Sequence, residues 1–183
     1  VQSGSNKILK LMNRKHTIEE YLNLIDRLKV KNSSIKFSSD FIIAYPGETL
    51  EDFEKTVSLM KKIEFINSYS FIFSPRPGTP AANLKKIDEN IAKERLAFFQ
   101  KVADEEKRKY RKGLINSIAT VLFENKARDK NKYFGRDEYF NSVIVHSNEN
   151  LAGKIRTIKV DSCNQNTLFG EVILETKPRE YAA

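Results

Sequence analysis

The chain has 183 residues, with 32 Lys/Arg against 24 Asp/Glu and a formal net charge of +8. Apolar residues make up 40% and charged residues 31%, which fits a globular chain of one medium or two small domains and excludes a disordered one. No apolar run approaches the length of a membrane span, so no membrane partner is expected, and the single cysteine, Cys163, excludes an intrachain disulfide and any cluster built from this chain's thiolates alone. A lone thiol fits a reducing, cytoplasmic setting. His16 and His146 have no partners at metal-ligand spacing, so no metal site is expected within the chain. The charge is uneven: residues 1–112 hold 22 Lys/Arg against 15 Asp/Glu, and residues 113–183 hold 10 against 9. Such a field suits a polyanion such as RNA, and it equally suits Lys-rich solvated helix faces.

Val1-Gln2-Ser3-Gly4-Ser5 has neither an initiator Met nor leader character, and it reads as a start in mid-fold, so a piece of a longer protein is expected. Ile8, Leu9, Leu11 and Met12 form a short helical turn. Thr17 and Glu20 have capping-box spacing, and Ile18, Tyr21, Leu22, Ile25 and Leu28 keep helical periodicity to about Lys29. Asn32-Ser33-Ser34 breaks that helix. Phe41-Ile42-Ile43 then reads as a strand buried on both faces. Pro46-Gly47 is a turn signal, and Thr49 caps the next helix, with Glu48 and Glu51 at its positive end. Leu50, Phe53, Val57 and Met60 form its apolar stripe, and a second strand follows at Tyr69–Phe73. Strand, helix and strand with short links predict parallel neighbours joined by a right-handed crossover. Ser74–Ala81, with three prolines and a glycine, predicts a rigid, non-helical loop.

A long helix is predicted over Asp88–Lys112, with Ala92, Leu96, Phe99, Ala103 and Tyr110 on one face. Its basic end, Lys107–Lys112, serves the helix dipole or an RNA backbone, and Gly113 is the stop. Beyond Gly113 the apolar groups are β-rich: Ile118–Phe123, Ser142–Val145, Ile155–Val160 and Leu168–Leu174. Four or five short strands predict a small closed β-barrel, a fold type often used for RNA. The domain boundary is therefore expected near Gly113.

Four stretches carry a family resemblance: V-Q-S-G-S-N at 1–6, L-K-L-M-N-R at 9–14, S-D-F-I-I-A-Y-P-G-E-T at 39–49 and S-Y-S-F-I-F-S-P-R-P-G-T-P-A-A at 68–82. In this order they resemble the radical S-adenosylmethionine (SAM) methylthiotransferases, most closely the MiaB-type tRNA-modifying group. The resemblance implies an α/β partial TIM-like barrel over residues 1–112, the C-terminal portion of a radical SAM barrel. It implies a small all-β, OB-like barrel of the TRAM type over 113–176, and a tail at 177–183. The implied chemistry is methylthio transfer to C2 of an N6-prenylated adenosine in the tRNA anticodon arm. One SAM is cleaved to a deoxyadenosyl radical and another supplies the methyl group. Two 4Fe-4S clusters belong to the family, and the sulfur and electron donors stay unnamed.

The C-x-x-x-C-x-x-C cluster motif is absent and is expected upstream of Val1, so the chain alone is expected to be inactive. Related enzymes acting on a ribosomal protein usually carry an acidic residue in place of Arg76 and lack Asp40, so the presence of both favours tRNA. Threonylcarbamoyl-adenosine tRNA, a ribosomal protein, or a non-catalytic RNA-binding fragment of a split or decayed gene stay as alternatives. The family usually has Gly-Phe where this chain has Ala44-Tyr45, and Ala44 is strained if that position needs φ > 0.

The resemblance makes Gln2, Ser3, Ser5, Arg14, Asp40 and Glu48 the candidate SAM contacts. Arg14 suits the SAM carboxylate or a surface salt bridge. Asp40 lies inside the strand, where a buried carboxylate demands a hydrogen-bond partner. Arg76 is a candidate for the substrate adenosine or a tRNA phosphate, and Lys126, Arg128, Arg136, Lys154 and Arg156 for phosphates. Tyr133, Phe134 and Tyr139 either stack on bases or fill the barrel. An open parallel barrel leaves a strand edge unpaired, so the isolated chain is expected to associate through it.

Overall fold

The computed structural model describes residues 1–129 and 131–173. Its contacts divide the chain into two compact units, Val1–Lys107 and Arg108–Ala183. Leu174, the expected last residue of the final strand, and the 177–183 tail lie outside the described residues.

The first unit builds α1 (Asn6–Leu11), α2 (Ile18–Lys31), β1 (Ser38–Ile43), α3 (Leu50–Ile63), β2 (Asn67–Ile72), a 3₁₀ turn (Pro80–Asn83) and most of α4 (Glu89–Gly113). Local chemistry sets the helix starts. Thr17 accepts from Glu20 N–H while the Glu20 carboxylate takes Thr17 N–H, the reciprocal pair expected of a capping box. Asp88 caps α4, accepting from Asn90 N–H at 2.9 Å. At the far end of α3, Glu64 takes a left-handed conformation with φ 60°.

β1 and β2 pair in parallel, Ser38 opposite Asn67 through Ile43 opposite Ile72. Phe73 N–H extends the ladder to Ile43 O, and Ile42 N–H on the other side of β1 donates to Gln2 O. Phe41 and Ile43 enter a core with Ile25, Phe53, Met60, Phe65 and Phe99. Phe41 meets Phe65 edge-on and lies 4.8 Å from Phe99, centroid to centroid.

Three expectations are corrected here. β1 is not covered on both faces: Ile42 is only half-buried and Asp40 is exposed, because the helices cover one side alone. Leu50, placed on the α3 stripe, is exposed, while Leu59 and Ile63 are buried instead. The Pro-rich loop ends in a 3₁₀ turn from Pro80, where proline suits a first helical position.

The second unit holds five strands: β3 (Ile118–Lys126), β4 (Lys132–Asp137), β5 (Ser142–His146), β6 (Ile155–Cys163) and β7 (Thr167–Val172). They close in the order β3-β4-β5-β7-β6, with β6 returning to β3. Every pairing is antiparallel except β5 with β7. Register shifts in β3 at Phe123/Asn125 and in β6 at Val160/Ser162 mark bulges, which bend strands toward closure. Val121, Phe123, Tyr133, Val143, Val145, Leu151, Ile158, Val160 and Leu168 fill the interior. β4 has no counterpart among the β-rich groups read from the sequence. Its run K-Y-F-G-R-D is short and charged at its ends, and only pairing with both β3 and β5 makes it a strand. Asp137 fixes the β4–β5 turn by accepting from Tyr139 and Asn141 N–H. Burial beside this turn pushes the Tyr110 phenol up to about 12.

Candidate functional sites

The carboxyl ends of β1 and β2 form the first site. Beyond β1 the chain turns at Tyr45–Glu48, closed by Glu48 N–H to Tyr45 O at 2.9 Å, with Gly47 at φ 86° in the third position. That is the type II arrangement that Pro46-Gly47 predicts. Ala44, just before this turn, has φ 58° and is buried. The left-handed region does require the absence of a Cβ for comfort, so the conditional expectation of strain holds.

Two buried carboxylates hold this rim from behind. Glu48 is 5% exposed. Its Oε1 accepts from Ala44 N–H at 3.2 Å and from Arg95 Nη1 at 2.7 Å, and Arg95 also reaches Glu48 O. Among the described residues Glu48 Oε2 has no partner. Burial raises the Glu48 pKa, opposed by Arg95 and the Ala44 N–H. Asp52 is 4% exposed. It accepts from Ser5 Oγ at 2.7 Å, Lys7 Nζ at 2.8 Å, Thr49 Oγ1 at 2.8 Å and Thr49 N–H at 3.0 Å. Burial alone would raise its pKa, but these donors prevail and hold it well below the usual carboxylate range. Lys7 also donates to Gly47 O at 2.8 Å, so one ammonium joins α1 to the turn.

This geometry sorts the candidate SAM contacts. Ser3 and Ser5 are fully buried. Ser3 Oγ meets Thr56 Oγ1 at 3.2 Å, and Ser5 caps α1 while donating to Asp52. Gly4 between them lies against α3 so closely that a Cβ would overlap Lys55 O and Thr56 Cα. Glu48 is likewise turned inward, so these three side chains are committed to the fold. Gln2 is half-buried, and its carbonyl holds β1. Arg14 and Asp40 are exposed, which overturns the buried reading of Asp40. Of the six candidate SAM contacts, Arg14 and Asp40 are therefore exposed and Gln2 half-buried, whereas Ser3, Ser5 and Glu48 are buried. Arg76 is exposed at the end of β2, in a turn closed by Thr79 N–H to Arg76 O, with Gly78 at φ 79°.

Sequence reasoning missed Asp52, Arg95 and Lys7. Asp52 had a signal, its capping-box spacing from Thr49. Arg95 had none, being 47 residues from Glu48.

In the barrel unit, Arg136 lies on the outer face, 3.2 Å from Glu124 and 5.5 Å from the Phe134 ring centroid. The register places it beside Leu122, which in turn sits beside Ile155. Lys154 and Arg156 share Glu149 Oε1, which lowers the Glu149 pKa, chiefly through Lys154. Lys126 and Arg128 are exposed, and no ion pair holds either among the described residues. Tyr133 fills the barrel, whereas Phe134 stays half-exposed on its surface.

A model of the Radical SAM superfamily matches residues 1–60. The chain is 52% identical over 179 residues, 98% of its length, to a protein of Pelagibacter ubique named tRNA-2-methylthio-N(6)-dimethylallyladenosine synthase. Proteins of the same name from Wolbachia pipientis wMel and Ehrlichia canis are each 43% identical over 93% and 94% of the chain. These matches bear out the resemblance carried by the motifs at 39–49 and 68–82. The chain spans 40% of the length of the Pelagibacter relative and 39% of that of the Wolbachia relative.

Ala44→Gly is expected to stabilise the chain by about 1 kcal/mol, read as a higher urea midpoint at unchanged slope. A lower midpoint would show that packing of the Ala44 methyl outweighs its backbone cost. Asp52→Asn is expected to cost about 2–3 kcal/mol at neutral pH. Because the folded pKa is depressed, the Asp52 contribution is complete above the ordinary carboxylate value of about 4 and is lost as pH falls below it. The gap between the two proteins in urea titrations should therefore close on acidification, and a gap independent of pH down to about 2 would contradict this.

Proposed function

Taking as premise the likeness to the tRNA-2-methylthio-N(6)-dimethylallyladenosine synthases, we propose that this chain is the carboxyl-terminal portion of a tRNA methylthiotransferase. The whole enzyme adds a methylthio group to C2 of an N6-prenylated adenosine beside the anticodon. Similarity at 52% identity along 98% of the chain is the observation that carries the reading. SAM, when bound, supplies the methyl group and the radical chemistry. Around it, Arg14 pairs with the amino-acid carboxylate, Asp40 takes the ammonium or a substrate N–H, and the Gln2 segment stays fixed by its bond to β1. The iron–sulfur clusters are held by residues outside this chain, since one thiol cannot ligate them.

Arg76, on its proline-stiffened turn, meets the adenosine or its phosphate. The five-stranded unit is a TRAM-type barrel that holds the anticodon arm. Arg136, Lys126 and Arg128 contact phosphates there, while Phe134 offers a stacking face. Lys154 and Arg156 join them on exchanging Glu149 for phosphate. The enzyme works in the cytoplasm, where its tRNA is found, and no described helix is long and apolar enough to cross a membrane.

The full-length parent, reconstituted anaerobically with iron, sulfide and SAM, is expected to yield methylthio-adenosine in tRNA by mass spectrometry. Product on a ribosomal protein instead would overturn the tRNA assignment. In RNA binding by the same protein, Arg136→Ala is expected to reduce the slope of log K against log salt by about 1, weakening all tRNAs alike. An unchanged slope would remove Arg136 from the interface.

A further inference from the structure

The sheet of the first unit has one covered face and one open face. Phe41 and Ile43 point into the helix-packed core, and the alternate positions point the other way. Those positions hold Asp40 and Ile42 on β1 and Tyr69 and Phe71 on β2. Register sets Asp40 beside Tyr69 and Ile42 beside Phe71, so the four side chains form one two-by-two patch. Tyr69 is 59% exposed and Phe71 57%. In the parallel-strand barrel to which the proposed function assigns this unit, the helix-free face of the sheet is the interior, and this patch belongs to that face.

The patch has two halves of different chemistry. Asp40 and the Tyr69 hydroxyl offer hydrogen bonds, and among the described residues the Tyr69 hydroxyl meets Asn67 Nδ2 at a long 3.5 Å. Ile42 and Phe71, next along the strands toward the rim, are purely apolar. A planar heterocycle with an N–H on its edge and a hydrocarbon substituent satisfies both halves at once. Resting on the function proposed above, we propose that Asp40, Ile42, Tyr69 and Phe71 form the wall that recognises the prenylated adenine. Asp40 and Tyr69 take the polar edge of the base, and Phe71 with Ile42 takes the isoprenoid chain. Phe71 is thereby a specificity-determining residue. A base lacking the hydrocarbon leaves this contact unmade, a loss worth about tenfold or more in discrimination.

The test uses the full-length parent and two synthetic anticodon stem–loops that differ only in the N6-prenyl group, with affinities read by fluorescence anisotropy. The unsubstituted protein is expected to bind the prenylated stem–loop at least about tenfold more tightly. Phe71→Ala is expected to abolish that preference, and Phe71→Leu to retain part of it. Thermal unfolding of each variant separates loss of contact from loss of fold. A Phe71→Ala protein that folds and keeps the full preference overturns the inference. So does an unsubstituted protein that makes methylthio-adenosine yet binds both stem–loops equally. Failure of the unsubstituted protein to make any methylthio-adenosine overturns the proposed function itself.

Discussion

The rim of the first unit depends on one buried carboxylate. Asp52 receives Ser5, Lys7 and Thr49, and so joins the loop before α1, the α1 helix and the start of α3 at one point. A buried charge is stable only when it is surrounded by donors, and those donors must then stay where they are. The cost of burying Asp52 is therefore what fixes the loop after Val1 against the turn after β1. Glu48 does the same for the turn itself through Arg95 and the Ala44 N–H, and it helps hold Ala44 in a conformation that a residue with a Cβ avoids.

This support divides polar residues into those that make the rim and those that remain available on it. Ser3, Ser5 and Glu48 have spent their hydrogen-bonding capacity inside, apart from one Glu48 oxygen. Arg14, Asp40 and Arg76 are exposed.

In the barrel unit the organising constraint is closure. Five strands with two bulges leave no free edge within the ring, and the alternating pattern sends Tyr133 inward and Phe134 and Arg136 outward. On that outer surface Arg136 pairs with Glu124, lies over the Phe134 ring and sits beside Leu122.

The sequence by itself determined what depends on a few neighbouring residues. The Thr17 and Thr49 caps, the Pro46-Gly47 turn, the strand–helix–strand unit and four of the five barrel strands follow from spacing within about one helical turn or one pleat. The lack of cluster thiolates and the family motifs are equally local. Only the tertiary structure decided which polar side chains face inward, because Arg95, which meets Glu48, and Ser5 and Lys7, which meet Asp52, each lie more than 40 residues away. It also decided that one face of β1 stays open, that Ala44 takes a positive φ, and that Lys132–Asp137 becomes a strand at all. In each case the deciding free energy comes from packing and pairing with remote segments, and no pattern within the segment itself records it.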